Sequence, residues 1–265
     1  MQVLAQNINR KGVINMRMSK KMKKVAAIIL TLAMMFGVFG ISGMEVTVKA
    51  SDNPVKMYYC DQGYSYYGTI TKNVYIQIDS RSASNKQVYI HHTNYEGTDW
   101  EDTEATYFTK LDDNTEIWKA SIYGIEANLK YAIKYIGDGK TYWDNNNGNN
   151  YGYDITGAAN VKAGRLVYGQ NYEGVNVTAV VKNIAYDKKV KVRYTLDNWK
   201  TYEEKSLSYS KGIEGTNDEV WSTGVSFGDS GHKDFHFCIS YEVNGQTYWD
   251  NNFGANFDSS YSKGR

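Results

Sequence analysis

The 265-residue chain lacks the motifs of several common protein classes. It has two cysteines, Cys60 and Cys238, and neither has a second cysteine or a histidine at metal-ligand spacing, which argues against a zinc site. Pro54 is the only proline, so the chain contains no stiff proline-rich spacer. The HExxH and GxSxG motifs and a phosphate-binding glycine loop are also missing, so no enzyme class is indicated.

The acidic residues give no sign of a glycosidase either, since that chemistry needs two carboxylates facing each other across a cleft. Most of them lie in polar stretches, such as 101–104 and 203–204, that are typical of solvated loops. The run 144–150 is rich in oxygen ligands, but its glycine and its twelfth position do not fit an EF-hand calcium loop. We therefore expect a protein that is not an enzyme and has neither a cofactor nor a metal.

The first fifty residues differ from the rest. Four lysines within residues 20–24 precede an apolar run from Val25 to about Gly43, and Val48-Lys49-Ala50 follows. A basic segment, an apolar segment and a small-x-small site predict a secretory signal peptide over residues 1–50 and a secreted protein. The apolar run is nearly long enough to span a bilayer, so an uncleaved N-terminal anchor is the alternative.

Removal of this segment changes the charge. Residues 1–50 hold eight of the 30 basic and one of the 29 acidic side chains, so the remainder has 22 basic against 28 acidic side chains and a net charge of −6. This balance argues against nucleic acid and, after cleavage, against an anionic membrane as partners. Export permits a disulfide, but Cys60 and Cys238 fall at non-equivalent positions, so two buried thiols are the favoured interpretation.

Two identical stretches organise the rest of the chain: Tyr-Trp-Asp-Asn-Asn occurs at 142–146 and again at 248–252. The six tryptophans pair at similar separations, and residues 86–91 are similar to residues 188–193. The pairs are Trp100 with Trp199, Trp118 with Trp221, and Trp143 with Trp249. The repeat predicts two copies of a unit of domain size.

Hydrophobic residues alternate with a period of two, as in 234–243, where every second residue is large and apolar. Asn244-Gly245 and Gly137-Asp138-Gly139 are typical hairpin turns. The fold class predicted is all-β, with two tandem immunoglobulin-like β-sandwich domains at 54–157 and 162–265 after the signal peptide. Small and polar residues between Asp154 and Leu166 are interpreted as a short linker.

Tryptophan followed by asparagines suits a neutral sugar. A flat ring covers the apolar face of a hexose, and one amide can address two adjacent hydroxyls. The other possibility is structural: Trp118 and Trp221 lie in strand-like runs and are expected in the core. Trp100 and Trp199 lie between aspartates or asparagines in loop-like segments and are the better ligand candidates.

Residues 190–201 and the run 248–257 resemble the family 21 starch- and glycogen-binding modules, which occur beside fungal glucoamylase and in glycogen-targeting subunits of protein phosphatase 1. Residues 143–151 resemble the same signature. The resemblance implies a β-sandwich that binds α-glucans without catalysis. An aromatic of the family site falls at Cys238, which cannot stack on a sugar.

Transfer of the family's sites onto matching positions implies carbohydrate-binding roles for twelve residues. In the second repeat they are Asn183, Tyr186, Trp199, Tyr209, Trp249, Asn251 and Asn256. In the first repeat they are Trp100, Tyr107, Trp143, Asn145 and Asn150. Arg81 and Ser84 replace the Asn183 and Tyr186 equivalents, so the first repeat is expected to keep one sugar site and to lack the other.

The sequence thus predicts a secreted, non-catalytic protein that binds α-glucan (starch, glycogen or a related polymer) through two tandem modules. Two alternatives stay open: an extracellular protein-interaction or adhesion scaffold, and an accessory binding subunit that associates with amylolytic enzymes. No Arg/Lys-Val-x-Phe docking segment for a phosphatase is present.

Overall fold

The structure is a computed structural model that describes residues 7–8, 14–15, 53–64, 69–152, 155–228 and 234–261. The chain divides into two units, Met1–Asp52 and Asn53–Arg265. In the first unit a short antiparallel ladder pairs β1 (Asn7–Ile8) with β2 (Ile14–Asn15). The predicted signal peptide otherwise lies outside the described residues.

The described part of the second unit is built almost wholly of strands, which confirms the prediction of an all-β chain. Single 3-10 turns occur at Gln170–Tyr172 and Asn252–Gly254. The strands are β3 (Val55–Tyr64), β4 (Thr69–Asp79), β5 (Lys86–Thr93), β6 (Trp100–Asp112), β7 (Thr115–Ile125), β8 (Tyr131–Gly137), β9 (Lys140–Asp144), β10 (Val161–Tyr168), β11 (Gly174–Lys182), β12 (Lys188–Thr195), β13 (Glu203–Ser206), β14 (Ser208–Gly212), β15 (Asp218–Ser226), β16 (His236–Val243), β17 (Gln246–Asp250) and β18 (Phe257–Asp258).

The strands pair in two sets. In the first half the order is β3-β4-β7-β6-β5-β8-β9, and the long β6 pairs with β5 through its first residues and with β7 through its last. In the second half the orders are β10-β11-β15-β14 and β13-β12-β16-β17, with β18 beside β16. The counterpart of β6 is interrupted there at Leu207, which is buried between β13 and β14.

Each half has its own hydrophobic core. Alternate residues of β16, among them Phe237, Ile239 and Tyr241, are buried with the valines of β11 and β12. In the first half Ile76, Ile90 and Ile133 belong to a separate buried cluster. Successive side chains of a pleated strand point to opposite faces, so these alternate residues lie on the core side, as the sequence predicted. Cys238 and Ser240, on the other face of β16, are also buried.

Both predicted hairpin turns are confirmed. Asn244 and Gly245 join β16 to β17, and both have positive φ, 50° and 75°. Asp138 and Gly139 join β8 to β9 with φ of 47° and 81°. A two-residue turn with positive φ at both positions matches the right-handed twist of the flanking strands. These turns place Trp143 and Trp249 on equivalent outer strands.

The segment between the halves differs from the linker expected between Asp154 and Leu166. Val161–Tyr168 is a strand, and residues 157–159 are bonded to β3 rather than spanning a gap. The Gly157 and Ala159 amides donate to the Tyr58 carbonyl at 2.9 and 3.0 Å. The small residues serve close backbone approach, since a Cβ on Gly157 would lie 1.9 Å from the Met57 carbonyl oxygen.

Polar contacts also join the halves. Asp218 of β15 accepts from the Thr156 amide at 2.8 Å and from its hydroxyl at 3.0 Å, and both residues are buried. Buried Lys162 forms an ion pair with Asp61 at 3.3 Å. Across the junction, these buried polar groups therefore have hydrogen-bond or ion-pair partners, as buried polar groups generally do.

An aromatic cluster completes this junction. Phe253, within the second signature run, packs at ring-centroid distances of 5.3 Å from Tyr75, 5.3 Å from Phe108 and 5.7 Å from Tyr59. The equivalent position of the first run is Asn147, which is exposed. The loop of the second run is therefore packed directly against the first half.

Within the described ranges, no helix is long and apolar enough to cross a lipid bilayer.

Candidate functional site

The two signature runs fold into the same loop. Asn145 Oδ1 accepts from the Gly148 amide at 3.0 Å, and Asn251 Oδ1 accepts from the Gly254 amide at 3.0 Å. The next asparagine of each run, 146 or 252, donates its Nδ2 to the carbonyl of Asn150 or Asn256 at 3.1 Å. Asparagine tolerates the positive φ that these turns contain. The repeated sequence therefore encodes a repeated local geometry.

The loops leave amide groups open for a ligand. The Nδ2 groups of Asn145 and Asn251 make no hydrogen bond within the described residues, and neither do the side chains of Asn150 and Asn256. These four residues are exposed or half-buried. Each amide offers both donors and an acceptor, so the four predicted asparagines are available to hydroxyl groups.

The aspartate of each run has a role that sequence reasoning missed. Asp144 accepts from the Met57 amide of β3 at 2.7 Å, and Asp250 accepts from the Ala163 amide of β10 at 2.6 Å. Each carboxylate thus ties its loop to the first strand of its own half. Each aspartate lies 87 residues after its amide partner in both halves, and this shared separation can be recognised in the sequence only after the two repeats are aligned.

In the first half, Trp100 and Trp143 lie on either side of His91. The His91 ring stacks on Trp100 at 4.9 Å with an interplanar angle of 17°, and it meets Trp143 edge-on at 5.4 Å. His91 Nδ1 also lies 2.6 Å from Asp102, which accepts from Lys134 at 2.7 Å. Both tryptophans are 43% exposed. The structure therefore brings two predicted residues together as one aromatic surface.

In the second half, Arg193 takes the position of His91. Its guanidinium lies 4.7 Å above the Trp249 ring and 4.7 Å from the Tyr202 ring, and it pairs with Glu204 at 2.7 Å. Trp249 remains 41% exposed. Arg193 and His91 occupy the same outward register on β12 and β5, opposite Cys238 and Ala132, so strand alternation is the signal that places them outward.

Trp199 is half-buried in a turn of its own, with φ of 65°. Thr195 Oγ1 accepts from the Trp199 amide at 3.0 Å, and Asp197 accepts from the Thr201 amide at 2.9 Å. The hydrogen bonds that Asp197 accepts from the Thr201 amide and from the Thr195 and Thr201 hydroxyls lower its pKa to about 2. No ring contact joins Trp199 to Trp249 in the described structure; the second aromatic beside Arg193, after Trp249, is Tyr202. Tyr202 was not predicted.

A second pair of equivalent residues lies on β6 and β14. Tyr107 stands edge-on to Trp118 at 6.2 Å, and Tyr209 stands edge-on to Trp221 at 6.1 Å. Both tyrosines are exposed. Trp118 and Trp221, expected in the core, are half-buried at its margin, where the indole N–H donates to a glutamate. The two tryptophans lie at the margin of the core because the polar indole N–H needs a hydrogen-bond partner.

The remaining predicted residues, Asn183 and Tyr186, lie in the turn between β11 and β12. Tyr186 is 97% exposed, and Asn183 Oδ1 accepts from Lys188 at 2.6 Å. In the first half Arg81 pairs with Asp79 at 3.1 Å, and Ser84 donates its amide to Asp138. The two equivalent positions of the first half therefore carry neither an amide nor an aromatic ring.

Cys238 lies on β16 opposite Arg193 and is 6% exposed. Burial raises the pKa of its thiol to about 11, so the thiol stays protonated at neutral pH. No disulfide joins Cys60 to Cys238, and both cysteines are buried, as expected. Among the residues that the structure describes, no group of three or more His, Cys, Asp or Glu side chains could hold a metal ion.

The buried carboxyl group of Asp250 should make the stability of the protein depend on pH. Burial raises the pKa of its carboxyl to about 7, and the Asp61 carboxylate adds to the rise, while the Ala163 amide opposes it. The unfolded chain releases this proton near 3.8, so the free energy of unfolding should fall as pH rises from 3.8 to about 7. Asp250→Asn keeps an acceptor for the Ala163 amide and removes the titrating carboxyl, so its free energy of unfolding should not fall across that window.

Urea unfolding of the parent and of Asp250→Asn across this pH range checks the effect, with the exposed Asp187→Asn as the matched control. The variant should lose this part of the pH dependence, and the control should retain it. Equal profiles for Asp250→Asn and the parent would contradict the assignment of the buried proton.

These observations define an all-β module whose outer strands carry exposed indole rings beside open amides. Residues 157–260 match the family described as carbohydrate/starch-binding module (family 21). The second half of the chain therefore contains one such module. The family match does not extend over the first half, so the tandem of two modules stays a prediction.

Curated relatives match a similar length of chain. The protein phosphatase 1 regulatory subunit 3C of Rattus norvegicus is 38% identical over 86 residues, which are 31% of this chain and 27% of the relative. Glucoamylase 1 of Rhizopus oryzae is 45% identical over 98 residues, which are 35% of this chain and 16% of the relative. The chain thus spans about a quarter or less of the length of these relatives.

Among solved structures, the starch-binding domain of Rhizopus oryzae glucoamylase in complex with β-cyclodextrin and maltoheptaose is 38% identical. It has a TM-score of 0.33 and covers 38% of this chain, and this chain covers 93% of it.

Proposed function

We propose that this protein is a secreted, non-catalytic α-glucan-binding protein in which both halves hold a polysaccharide such as starch or glycogen. One observation carries the proposal: Trp143 and Trp249 are 43% and 41% exposed at equivalent positions, each beside asparagines with open amides. An indole face covers the apolar face of a glucose unit, and the amides address its hydroxyls. The family match at 157–260 supports the same ligand class.

The charges near the rings are already paired. Arg193 shares Glu204 with Lys191, and Lys134 pairs with Asp102, so the cations beside the rings lie in ion pairs. An exposed surface of rings and amides whose charged neighbours lie in ion pairs suits a neutral polymer. Arg193 covers one side of the Trp249 ring, which fixes the ring before the ligand arrives.

Two modest sites on one compact unit gain by avidity. Once one half holds a glucan chain, the second contact is intramolecular and can tighten binding by about a hundredfold or more. Retention on a polymer should therefore exceed the affinity for a short oligosaccharide. The groups that contact the two indole rings differ, His91 in one half and Arg193 in the other, which predicts unequal affinities of the two halves.

Secretion is supported by the sequence of residues 1–50 alone. The order of basic, apolar and small-x-small segments is what a signal peptidase substrate requires. Association with amylolytic enzymes and attachment by an uncleaved anchor stay predictions. Mass spectrometry of the exported protein would test cleavage after Ala50; an N-terminus before the apolar run would favour the anchor.

Affinity electrophoresis tests the binding itself. The protein should migrate more slowly in a native gel that contains amylopectin than in a gel without it, and a soluble β-glucan should not retard it. Retardation by neither polymer would contradict the proposal. Unchanged mobility together with retention of a partner protein would favour the interaction-scaffold alternative.

A further inference from the structure

A groove between the two halves is separate from the aromatic surfaces. It has a volume of about 870 Å³ and lies between the ends of β3 and β4, the first signature loop, and the turn that precedes β15. Its lining includes Asn53, Lys56, Gln77, Asn147, Thr216 and Asn217. The volume falls within the range of about 300–1,000 Å³ that is typical of ligand sites.

The walls offer neutral hydrogen-bonding groups. The side-chain amides of Gln77 and Asn147 make no hydrogen bond within the described residues, and Asn217 donates Nδ2 to the Asn183 carbonyl at 3.1 Å, which leaves its Oδ1 open. The carboxylates in the walls are already satisfied, Asp218 by Thr156 and Asp144 by the Met57 amide. Lys56 adds one exposed ammonium donor. These groups suit a ligand with many hydroxyls.

The floor of the groove is rigid. Gly157 and Ala158 are hydrogen-bonded to β3, and Lys182 donates its ammonium to the Gly157 carbonyl. Burial lowers the pKa of Lys182, and the like charge of Lys56 adds to this effect. A preformed floor requires little reorganisation on binding, which favours affinity for a short ligand segment.

The groove connects candidate residues of both halves. Asn53 Nδ2 donates to the Trp143 carbonyl at 2.6 Å at one end, and Asn217 contacts Asn183 at the other. We propose that this inter-half groove is an additional α-glucan subsite, in which a short oligoglucoside segment contacts both halves at once. The inference rests on the proposed function, and it adds residues that neither repeat would supply alone.

Titration of the purified protein with maltoheptaose tests the subsite. Gln77→Trp places an indole in the groove, and Asn217→Trp does so from the opposite wall. Because the two variants are independent, a folding defect in one leaves the test with the other intact. We expect each to weaken binding about fivefold, the loss of a hydrogen bond or two. The matched control Gln87→Trp, exposed on β5, should bind like the parent.

Backbone amide chemical shifts would show where maltoheptaose binds. On addition of maltoheptaose, the Gly157 and Thr216 amides should shift in the parent and in Gln87→Trp but not in Gln77→Trp. Parent-like affinity of both blocking variants, together with Gly157 and Thr216 amide signals that do not move when maltoheptaose is added to the parent, would overturn the subsite while leaving α-glucan binding intact. Failure of the parent itself to bind maltoheptaose or amylopectin would overturn the proposed function as well.

Discussion

Replacement of Trp143 and Trp249 together by alanine is expected to weaken α-glucan binding at least thirtyfold. Removal of a central aromatic from a binding surface typically costs about 2 kcal/mol, which is about thirtyfold in a dissociation constant. Because the change removes one ring from each half, the avidity that links the halves should be lost as well. Titration with maltoheptaose and affinity electrophoresis in amylopectin gels would measure both effects.

The fold should survive this double replacement, because both rings are exposed and lie on outer strands rather than in either core. The matched variant replaces the same two residues by phenylalanine, which keeps a flat ring and should retain most of the affinity. A double alanine variant with a parent-like unfolding midpoint and parent-like affinity would show that glucan is bound elsewhere.

Replacement of Gly157 by alanine should be the most destabilising conservative change in the junction between the halves. A Cβ there would lie 1.9 Å from the Met57 carbonyl oxygen and 2.6 Å from its carbonyl carbon. Those backbone atoms cannot withdraw freely, because the Met57 carbonyl accepts from the Ala158 amide at 2.7 Å. The expected loss of unfolding free energy is about 3 kcal/mol, at the upper end of overpacking costs.

Gly224→Ala is the control for this change. Gly224 is an exposed strand residue with no atom within 4 Å of an added Cβ, so its replacement should alter stability by about 0.5 kcal/mol or less. Urea unfolding of both variants would measure the difference. Equal stability of Gly157→Ala and Gly224→Ala would show that the connecting segment is not bonded to β3.

The rigid connection has a consequence for binding. Phe253 belongs to the signature loop of the second half, yet its ring packs on Tyr59, Tyr75 and Phe108 of the first. The loop that carries Asn251 and Asn256 is therefore supported from outside its own half. The two proposed sites lie on one compact unit and would meet a glucan at a defined spacing, whereas a flexible linker would lower the effective concentration of the second site.

Much of the local structure could be predicted because it depends on residues close in the sequence. The period of two predicts the strands, since successive side chains of a strand point to opposite faces. Asn244-Gly245 predicts its hairpin because both residues accept positive φ. Trp143 and Trp249 lie on the strands that directly follow the hairpin turns of the two halves, and this place on outer strands accounts for their exposure. The repeated asparagines form the same loop in both halves.

The sequence by itself determined the strand pattern, the turns and the repeated loop, because each arises from interactions over a few residues. Only the tertiary structure decided that Asp144 and Asp250 anchor their loops, that Arg193 covers Trp249, and that Phe253 joins the halves. These contacts bring together groups on different strands, some of them more than a hundred residues apart. No local period or spacing specifies them, since they depend on which faces meet when the sheets pack.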